Sequence, residues 1–171
     1  MAREEVLGRV RNALGRAEGG ACPSPPPVRF SKTPEFDRTA RFREALQALG
    51  GTVIEVVSQA EARAAIEAMV QGRESEFGVN EANYALADTG TLVFLGGSRL
   101  VSLLPPRHIA IIERDRILAS LDELLRMAPH PAELASAMTL VTGPSRTADI
   151  EMRLVRGVHG PGEITVIVAG K

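Results

Sequence analysis

The spacing of apolar residues predicts alternating helices and strands through most of this 171-residue chain. Residues 36–49 carry apolar side chains on one helical face and are followed by two glycines, which predicts a helix. The β-branched run at 52–57 predicts a strand, and Ser58 followed by Glu61 predicts the capping box of a helix that ends near residue 70. This alternation predicts an α/β fold with a mostly parallel central sheet and helices on both of its faces.

The middle of the chain continues the same alternation with weaker signals. Short strands of the buried type are predicted at 92–95 and at 109–112. Residues 71–80 carry little structural signal, and residues 81–86 predict a short helix or a turn. Residues 114–127 have an amphipathic pattern, which predicts one continuous helix.

The stretch between residues 137 and 162 has the most distinctive pattern. It predicts a strand at 138–141, a polar turn at 142–147, and then a helix that ends at Gly157. A final strand is predicted at 164–169, so the region predicts a parallel strand–helix–strand crossover. The apolar face of the helix would carry Ile150, Leu154 and Val155, and the charges suited to its dipole would be Asp149, Glu151, Arg153 and Arg156.

The N-terminal region predicts a separate arm. Residues 1–18 are expected to form an amphipathic helix, residues 19–33 a Pro-rich linker, and residues 34–171 the α/β domain. The apolar stripe of the first helix needs a surface to cover it, either on its own domain or on another chain. The second alternative makes this helix a candidate contact for a homo-oligomer or for a partner subunit.

Composition indicates a globular protein that engages neither nucleic acid nor the membrane interior. The net charge of -1 provides no basic field for nucleic acid, and a charged content of 24% is ordinary for a globular chain. No run has transmembrane length and no N-terminal segment resembles a signal peptide, which predicts a cytoplasmic location without membrane insertion. Cys22 is the only cysteine, so a cysteine-ligated iron–sulfur cluster cannot be built from this chain.

One acid and two hydroxyls share a tight turn before the strand at 92–95. Asp88 could act as an acid, a base or a nucleophile, while Thr89 and Thr91 orient a substrate oxygen. Gly90 permits a positive φ or a close backbone approach. The alternative is an ordinary Asp-Thr-Gly turn without chemistry, which the pattern by itself favours.

A second polar turn, formed by Ser145, Arg146 and Thr147, precedes the helix predicted after residue 144. Free N–H groups at a helix start, two hydroxyls and a guanidinium together suit a small anion, either carboxylate or phosphate. The alternative is that a hydroxyl only caps the helix and Arg146 only pairs with Asp149. The dinucleotide fingerprint G-x-G-x-x-G and a ligand set with metal spacing are both missing, so neither a cofactor nor a metal is predicted.

Four motifs, taken together, resemble the LUD-domain family. They are ADTGTLV at 87–93, RLVSLLPPRHI at 99–109, TGPSRTADIE at 142–151 and GVHGP at 157–161. The resemblance implies an α/β fold like that of the NagB/RpiA/CoA-transferase group. It also implies a part in the oxidation of L-lactate to pyruvate, beside iron–sulfur partner subunits.

The resemblance also implies that the polar turns share one pocket, since ligands of open α/β sheets bind outside the carboxyl ends of the strands. The candidate catalytic residue is Asp88. The candidate substrate- or anion-binding residues are Thr89, Gly90, Thr91, Arg99, Ser145, Arg146, Thr147 and His159.

Functions of different classes fit these motifs. The first is a component of the L-lactate utilisation system that has no redox centre of its own and acts with iron–sulfur subunits. The second is an enzyme of CoA-transferase or sugar-phosphate-isomerase type that uses Asp88 as a nucleophile or base, and a third is a ligand-sensing module.

The chain departs from the family pattern in two places. Asp88 stands where the family usually has Glu. The stretch between the helix at 59–70 and Asn83 is short, as though one strand–helix unit were deleted or had been left out.

Overall fold

The chain divides into two compact units, Met1–Phe30 and Ser31–Lys171. The first unit contains the helix α1, Arg3–Ala13, in which no residue is buried, and its apolar stripe of Val6, Val10 and Leu14 is exposed. The computed structural model describes residues 3–15, 35–97, 100–128, 135–148 and 154–170.

The second unit contains the other described helices and strands. Its helices are α2 Arg38–Ala48, α3 Gln59–Val70, α4 Leu100–Leu103 and α5 Leu121–Met127. Its strands are β1 Thr52–Val56, β2 Phe77–Glu81, β3 Tyr84–Leu86, β4 Thr91–Leu95, β5 Arg107–Glu113, β6 Ile117–Leu118, β7 Met138–Thr142, β8 Arg146–Ala148, β9 Leu154–Arg156 and β10 Glu163–Ala169. Short 3-10 turns lie at Glu74–Glu76 and Arg114–Arg116.

A parallel sheet of four strands is the centre of this unit. Its strand order is β1-β10-β5-β2, and every pairing in it is parallel. The chain passes from β1 to β2 through α3, because consecutive parallel strands need a crossover connection. The predicted α/β fold with a mostly parallel central sheet is confirmed.

A second sheet, which the sequence pattern did not indicate, has the order β6-β3-β4-β7. The β3–β4 and β4–β7 pairings are antiparallel, and the β3–β6 pairing is parallel. The strands β8 and β9 form a separate two-stranded antiparallel ribbon.

One face of each four-stranded sheet contributes to a shared core. Alternate residues of β10 lie in this core, as expected for a strand whose side chains point to opposite faces in turn. The helix α2 adds two fully buried side chains. Members of this core include Phe42, Leu46, Leu92, Phe94, Ile112, Ile117, Val166 and Val168.

Helices cover the other face of each sheet. The helix α3 packs on the parallel sheet through Ala62, together with Ile109 and Ile167. The helix α5 packs on the mixed sheet through Leu124, which joins Val93 in a third cluster. The layers are therefore α3, the parallel sheet, the shared core with α2, the mixed sheet and α5.

Side-chain caps set the start of two helices. The Asp37 carboxylate accepts a hydrogen bond from the Ala40 N–H at 3.0 Å, at the start of α2. The Ser58 hydroxyl accepts from the Glu61 N–H at 3.2 Å, and the Glu61 carboxylate accepts from the Val57 N–H at 3.1 Å. The helix start predicted at Ser58 is confirmed, and α2 begins at Arg38, inside the helix predicted at 36–49.

The helix predicted after residue 144 is wrong, because its two described parts are the strands β8 and β9. Residues 149–153, which follow β8 and precede β9, lie outside the described residues. The β-branched residues Thr147 and Val155 are paired across the ribbon, and β-branched side chains favour strands. The apolar spacing in this segment fits a helix as well as a strand, so it does not distinguish the two.

Hydrogen bonds at the end of the ribbon where β8 begins and β9 ends fix its conformation. The Ser145 N–H donates to the Pro161 carbonyl at 2.8 Å, and the Gly157 N–H donates to the Ser145 carbonyl at 3.1 Å. These bonds bring the two ends of the segment together, as a hairpin needs and a helix does not permit. Gly157, with φ +78°, belongs to this closure and not to a helix C-terminus.

Two other local predictions are wrong for the same reason. The single helix predicted at 114–127 is a 3-10 turn, then β6, and only then α5, because Ile117 and Leu118 pair with β3. The helix or turn predicted at 81–86 contains the end of β2 and the whole of β3. Strand pairing overrode the local pattern in both places.

Candidate functional site

The turn between β3 and β4 holds the predicted acid and hydroxyls. Asp88 and Thr89 are exposed, whereas Gly90 is buried. The turn is attached to the segment after β6 through the Asp88 N–H, which donates to the Ala119 carbonyl at 3.1 Å. Gly90 has φ +66°, and a Cβ there would stand 2.6 Å from the backbone nitrogen of Leu46 in α2. The close approach of this turn to α2 therefore requires glycine at this position.

The Asp88 carboxylate and three threonine hydroxyls form a continuous hydrogen-bonded row. Thr89 Oγ1 lies 3.2 Å from Asp88 Oδ1 and 2.8 Å from Thr91 Oγ1. Thr91 Oγ1 lies 2.8 Å from Thr142 Oγ1, because the β4–β7 pairing sets these two residues opposite each other. We call these four residues the hydroxyl chain. The sequence had not singled out Thr142, whose place depends on a strand pairing between distant segments.

The direction of donation along the hydroxyl chain follows from its acidic end. An ionised carboxylate only accepts, so Thr89 donates to Asp88 and must accept from Thr91. Thr91 in turn accepts from Thr142. The oxygen of Thr142 keeps lone pairs for a further donor.

The C-terminal end of α2 is the common neighbour of three segments of this region. Gly90 approaches it from the β3–β4 turn, and a Cβ on Gly143, which has φ +77°, would stand 2.9 Å from the Leu49 Cβ. The guanidinium of Arg156 lies against Gly50, where a Cβ would be 3.1 Å from its Nη2. A cation is favourable here because the carbonyl groups at a helix C-terminus carry partial negative charge.

Two arginines stand directly opposite each other in the β8–β9 ribbon. Arg146 pairs in register with Arg156, and both side chains are exposed. Directly opposite side chains share one face of an antiparallel pair, where like charges repel each other. An anion held by both guanidinium groups would relieve this repulsion. The arginine pair thus replaces the absent helix start as the physical reason to expect an anion beside Arg146.

The other predicted binding residues lie close to this ribbon. Ser145 is half-buried and packs near Gly160, where a Cβ would be 3.4 Å from the serine Cβ. Thr147 is half-buried in β8, and His159 is exposed in the loop after β9. Within the described part of the chain, no hydrogen bond joins these side chains to the hydroxyl chain. Arg99 lies outside the described residues.

A second hydrogen-bonded row was missed from the sequence because its members come from β2, α4 and β5. The imidazole Nε2 of His108 lies 2.8 Å from Asn80 Oδ1, and Asn80 Nδ2 donates to Ser102 Oγ at 2.8 Å. Since Asn80 Oδ1 only accepts, Nε2 carries the imidazole proton. Ser102 and His108 are 4% and 1% exposed, so we call these three residues the buried chain. The one signal in the sequence was that Ser102 and His108 both belong to the motif at 99–109.

Burial lowers the pKa of His108 to about 4, because the charged imidazolium would lose its hydration. The imidazole is therefore neutral at pH 7. Its Nδ1 atom is buried and has no hydrogen-bond partner. Ser102 is bonded to the amide of Asn80 and not to the imidazole, so these residues do not form a nucleophile–base pair.

A crevice of about 430 Å³ lies at the carboxyl ends of the parallel strands, the usual ligand position in open α/β sheets. Its walls include Ser58, Gln59, Glu113 and Arg114. The guanidinium of Arg114 is already engaged, since its Nη2 donates to Glu55 at 2.7 Å. Of the candidate residues that the structure describes, none lines this crevice.

Neither a grouped metal site nor a membrane-spanning helix is present among the residues that the structure describes. No three side chains of His, Cys, Asp or Glu come together there as potential metal ligands. No described helix is both long enough and apolar enough to cross a bilayer.

Comparisons with known proteins agree on one family. The sequence pattern described as the LUD domain matches residues 67–169, which is more than half of the chain. A protein named Lactate utilization protein C from Halalkalibacterium halodurans is 39% identical over 105 residues, covering 57% of this chain and 46% of that protein. A protein of the same name from Geobacillus kaustophilus is 29% identical over 171 residues, covering 96% of this chain and 68% of that protein.

The chain spans less than half the length of the first of these relatives. Among solved structures, a crystal structure of a DUF162 family protein from Deinococcus radiodurans superposes with a TM-score of 0.62 at 18% identity. The match covers 78% of this chain and 96% of the other chain, and it supports the fold alone.

Proposed function

The chain belongs to the LUD domain family, and we propose that it is a component of a bacterial system for L-lactate utilisation. The observation that carries this proposal is its similarity, over 57% to 96% of its length, to proteins named Lactate utilization protein C. The oxidation of L-lactate to pyruvate is the reaction that this system would perform. The predicted division into an N-terminal helix, a linker and a LUD-type domain, and a cytoplasmic location, are part of the same proposal.

The electron-carrying step belongs to iron–sulfur partner subunits in this proposal. Lactate oxidation removes two electrons, and ordinary side chains cannot store them, so a redox cofactor must carry them. One cysteine is too few to ligate an iron–sulfur cluster. The chain's own contribution would be assembly or substrate handling. The exposed stripe of α1 is the candidate contact with a partner subunit or a second copy.

The small anion of this proposal is held by Arg146 and Arg156, which stand opposite each other in the ribbon. Charge-assisted hydrogen bonds to guanidinium groups are stronger than neutral ones, and Arg presents a fork that matches a carboxylate. L-lactate and inorganic phosphate are the probes, titrated by calorimetry into the full chain. Arg146→Ala should weaken binding by about 1.5–3 kcal/mol. Arg41→Ala, which removes an exposed arginine of α2, is the matched control, and equal affinities in all three proteins would count against the site.

The genetic experiment tests the cellular role. Deleting the gene should abolish growth on L-lactate while leaving growth on pyruvate intact, and the complete gene should restore it. Undiminished growth on L-lactate would refute the role. The purified chain should not reduce a dye with L-lactate until partner subunits are added, and reduction by the chain alone would refute the division of labour.

A second candidate function is favoured by the hydroxyl chain, which ends at an exposed carboxylate. Asp88 could attack the carbonyl of an acyl-CoA, forming a mixed anhydride and releasing the CoA thiolate, as a transferase requires. Incubation with acetyl-CoA followed by peptide mass spectrometry would detect the acyl group on Asp88. Its absence from wild type, or its presence in Asp88→Asn, would exclude Asp88 as the nucleophile.

A further inference from the structure

The cavity beside the buried chain has the walls of a small binding pocket. Its volume is about 170 Å³, and its lining includes Asn80 and Ser102 from the buried chain. Glu81, Asn83 and Thr139 line it as well. Polar side chains from β2, α4, β7 and the segment after β2 therefore converge on one space. The hydroxyl chain and the arginine pair contribute nothing to the lining of this cavity.

The hydrogen bonds already made determine what these walls can offer. Asn83 Oδ1 accepts from the Leu95 N–H at 2.7 Å, so its amide NH₂ group is left to donate. The Ser102 oxygen accepts from Asn80, so its hydroxyl proton is directed elsewhere. The carboxylate of Glu81 can only accept. The pocket thus provides both donors and acceptors.

The buried chain holds one wall of the pocket in place. The imidazole N–H of His108 fixes the amide of Asn80, and the ring of Phe94, another wall residue, lies with its centroid 5.8 Å from the imidazole. The helix α4 is seated directly on β2, since a Cβ on Gly78 would collide with the Val101 carbonyl oxygen. His108 is therefore a positioning residue, because it acts on the pocket through Asn80.

Size and charge restrict the ligand. A cavity of about 170 Å³ is similar in volume to cavities that bind benzene, so it suits a molecule of about six non-hydrogen atoms. The Glu81 carboxylate disfavours an anion, because like charges repel. We propose that this cavity binds a small uncharged molecule that carries both hydrogen-bond donors and acceptors. The site is separate from the anion site proposed above, and its test does not depend on lactate utilisation.

Lactamide and L-lactate are suitable probes because they have the same number of non-hydrogen atoms and differ in charge. The full chain, labelled with ¹⁵N, would be titrated with each while the side-chain amide signals of Asn80 and Asn83 are followed by NMR. Lactamide should shift both signals saturably at millimolar concentration, and L-lactate at the same concentration should leave them in place. A response to L-lactate as strong as that to lactamide would overturn the proposal.

Variants locate the binding in the cavity. Ser102→Ala should weaken lactamide binding at least fivefold. Ser120→Ala should leave it unchanged, because Ser120 does not line the cavity and its side chain makes no capping bond at α5. Thr139→Ala provides the same test should the buried Ser102→Ala variant not fold. Glu81→Gln should allow L-lactate to shift the amide signals. Unaltered lactamide affinity in both alanine variants, or no response to lactamide in wild type, would overturn the proposal.

Discussion

The hydroxyl chain and the buried chain use similar polar side chains but differ in their access to water. The hydroxyl chain begins at the exposed carboxylate of Asp88, which water can solvate in its charged form. The buried chain ends at His108, which is 1% exposed and stays neutral at pH 7. The comparison teaches that the environment of the terminal group decides what a polar row can do. The first row can present a charge to a ligand, whereas the second row offers only neutral polar groups, held in position around the buried imidazole.

The largest effect is expected where the buried chain is assembled. Gly78→Ala would drive a methyl group into the Val101 carbonyl oxygen, so α4 and Ser102 would have to move away from β2. We expect a loss of about 4 kcal/mol or more in the free energy of unfolding, measured with urea. Gly162→Ala is the matched control, because its Cβ would meet its nearest neighbour at an ordinary 3.6 Å. A Gly78→Ala protein as stable as this control would show that α4 is not seated on β2 as described.

Acid should destabilise the protein through His108. The unfolded chain takes up a proton on this imidazole below about pH 6.5, whereas the folded protein does so only below about pH 4. The free energy of unfolding is therefore highest above pH 6.5, and it decreases as the pH falls from 6.5 to 4. The loss by pH 4 should be about 3 kcal/mol. Urea unfolding at pH 7, 5 and 4 would measure it.

The non-titrating variant His108→Gln isolates this contribution from that of the carboxylates. Its side-chain amide can still donate to Asn80, so its stability should fall less than that of wild type over the same pH range. Parallel pH profiles for the two proteins would contradict a depressed pKa at His108.

Removing the Asn80 amide, the central group of the buried chain, should lower the free energy of unfolding less than Gly78→Ala does. Asn80→Ala leaves the buried imidazole N–H without its acceptor, and an unsatisfied buried donor costs about 1–3 kcal/mol. The unfolding free energy of Asn83→Ala is the comparison, because Asn83 contributes one bond to a backbone N–H and none to the buried chain. Asn80→Ala should also remove the hydrogen bond to Ser102, which would change the NMR signals of Ser102. Unaltered stability would mean that the row contributes nothing to the fold.

The smallest effects are expected in the hydroxyl chain. Thr91 is 4% exposed and bonded on both sides, so Thr91→Val should lower the unfolding free energy by about 1–2 kcal/mol. Thr142 is exposed, so Thr142→Val should change the unfolding free energy by about 0.5 kcal/mol or less. Thermal or urea unfolding of both variants sharpens the comparison within one row. A larger loss for Thr142→Val would show that the exposed end is the stabilising one.

The strands β1, β5 and β10 of the parallel sheet could be predicted from local pattern because each contains a β-branched or apolar run, whereas β2 lies mostly in a stretch with little structural signal. The capping box at Ser58 is likewise local, since donor and acceptor are three residues apart. In the mixed sheet, β4 and β7 could also be predicted as short apolar runs, but β3 and β6 and the order of the sheet could not. The short strands β3, β6, β8 and β9 have two or three residues each, and strand pairing decides their conformation.

The two polar rows show the same division for the candidate site. Asp88, Thr89 and Thr91 lie within one turn, so their proximity is visible in the sequence. Thr142 joins them only through the β4–β7 pairing. Asn80 and His108 are 28 residues apart, and their contact follows from the parallel register of β2 and β5. The sequence pattern places Arg156 at the end of a predicted helix. Its position opposite Arg146 follows only from the β8–β9 pairing.

The position of β10 has a consequence for how the protein is made. This strand, Glu163–Ala169, fills the place between β1 and β5, so both of its neighbours leave the ribosome before it does. Until it arrives, β1 and β5 each expose an edge that could pair with another chain, and the core side chains of both remain partly uncovered. Nascent chains stalled before residue 163 should therefore remain sensitive to protease and depend on chaperones. Once β10 has left the ribosome, its seven residues would close the sheet in a single late step.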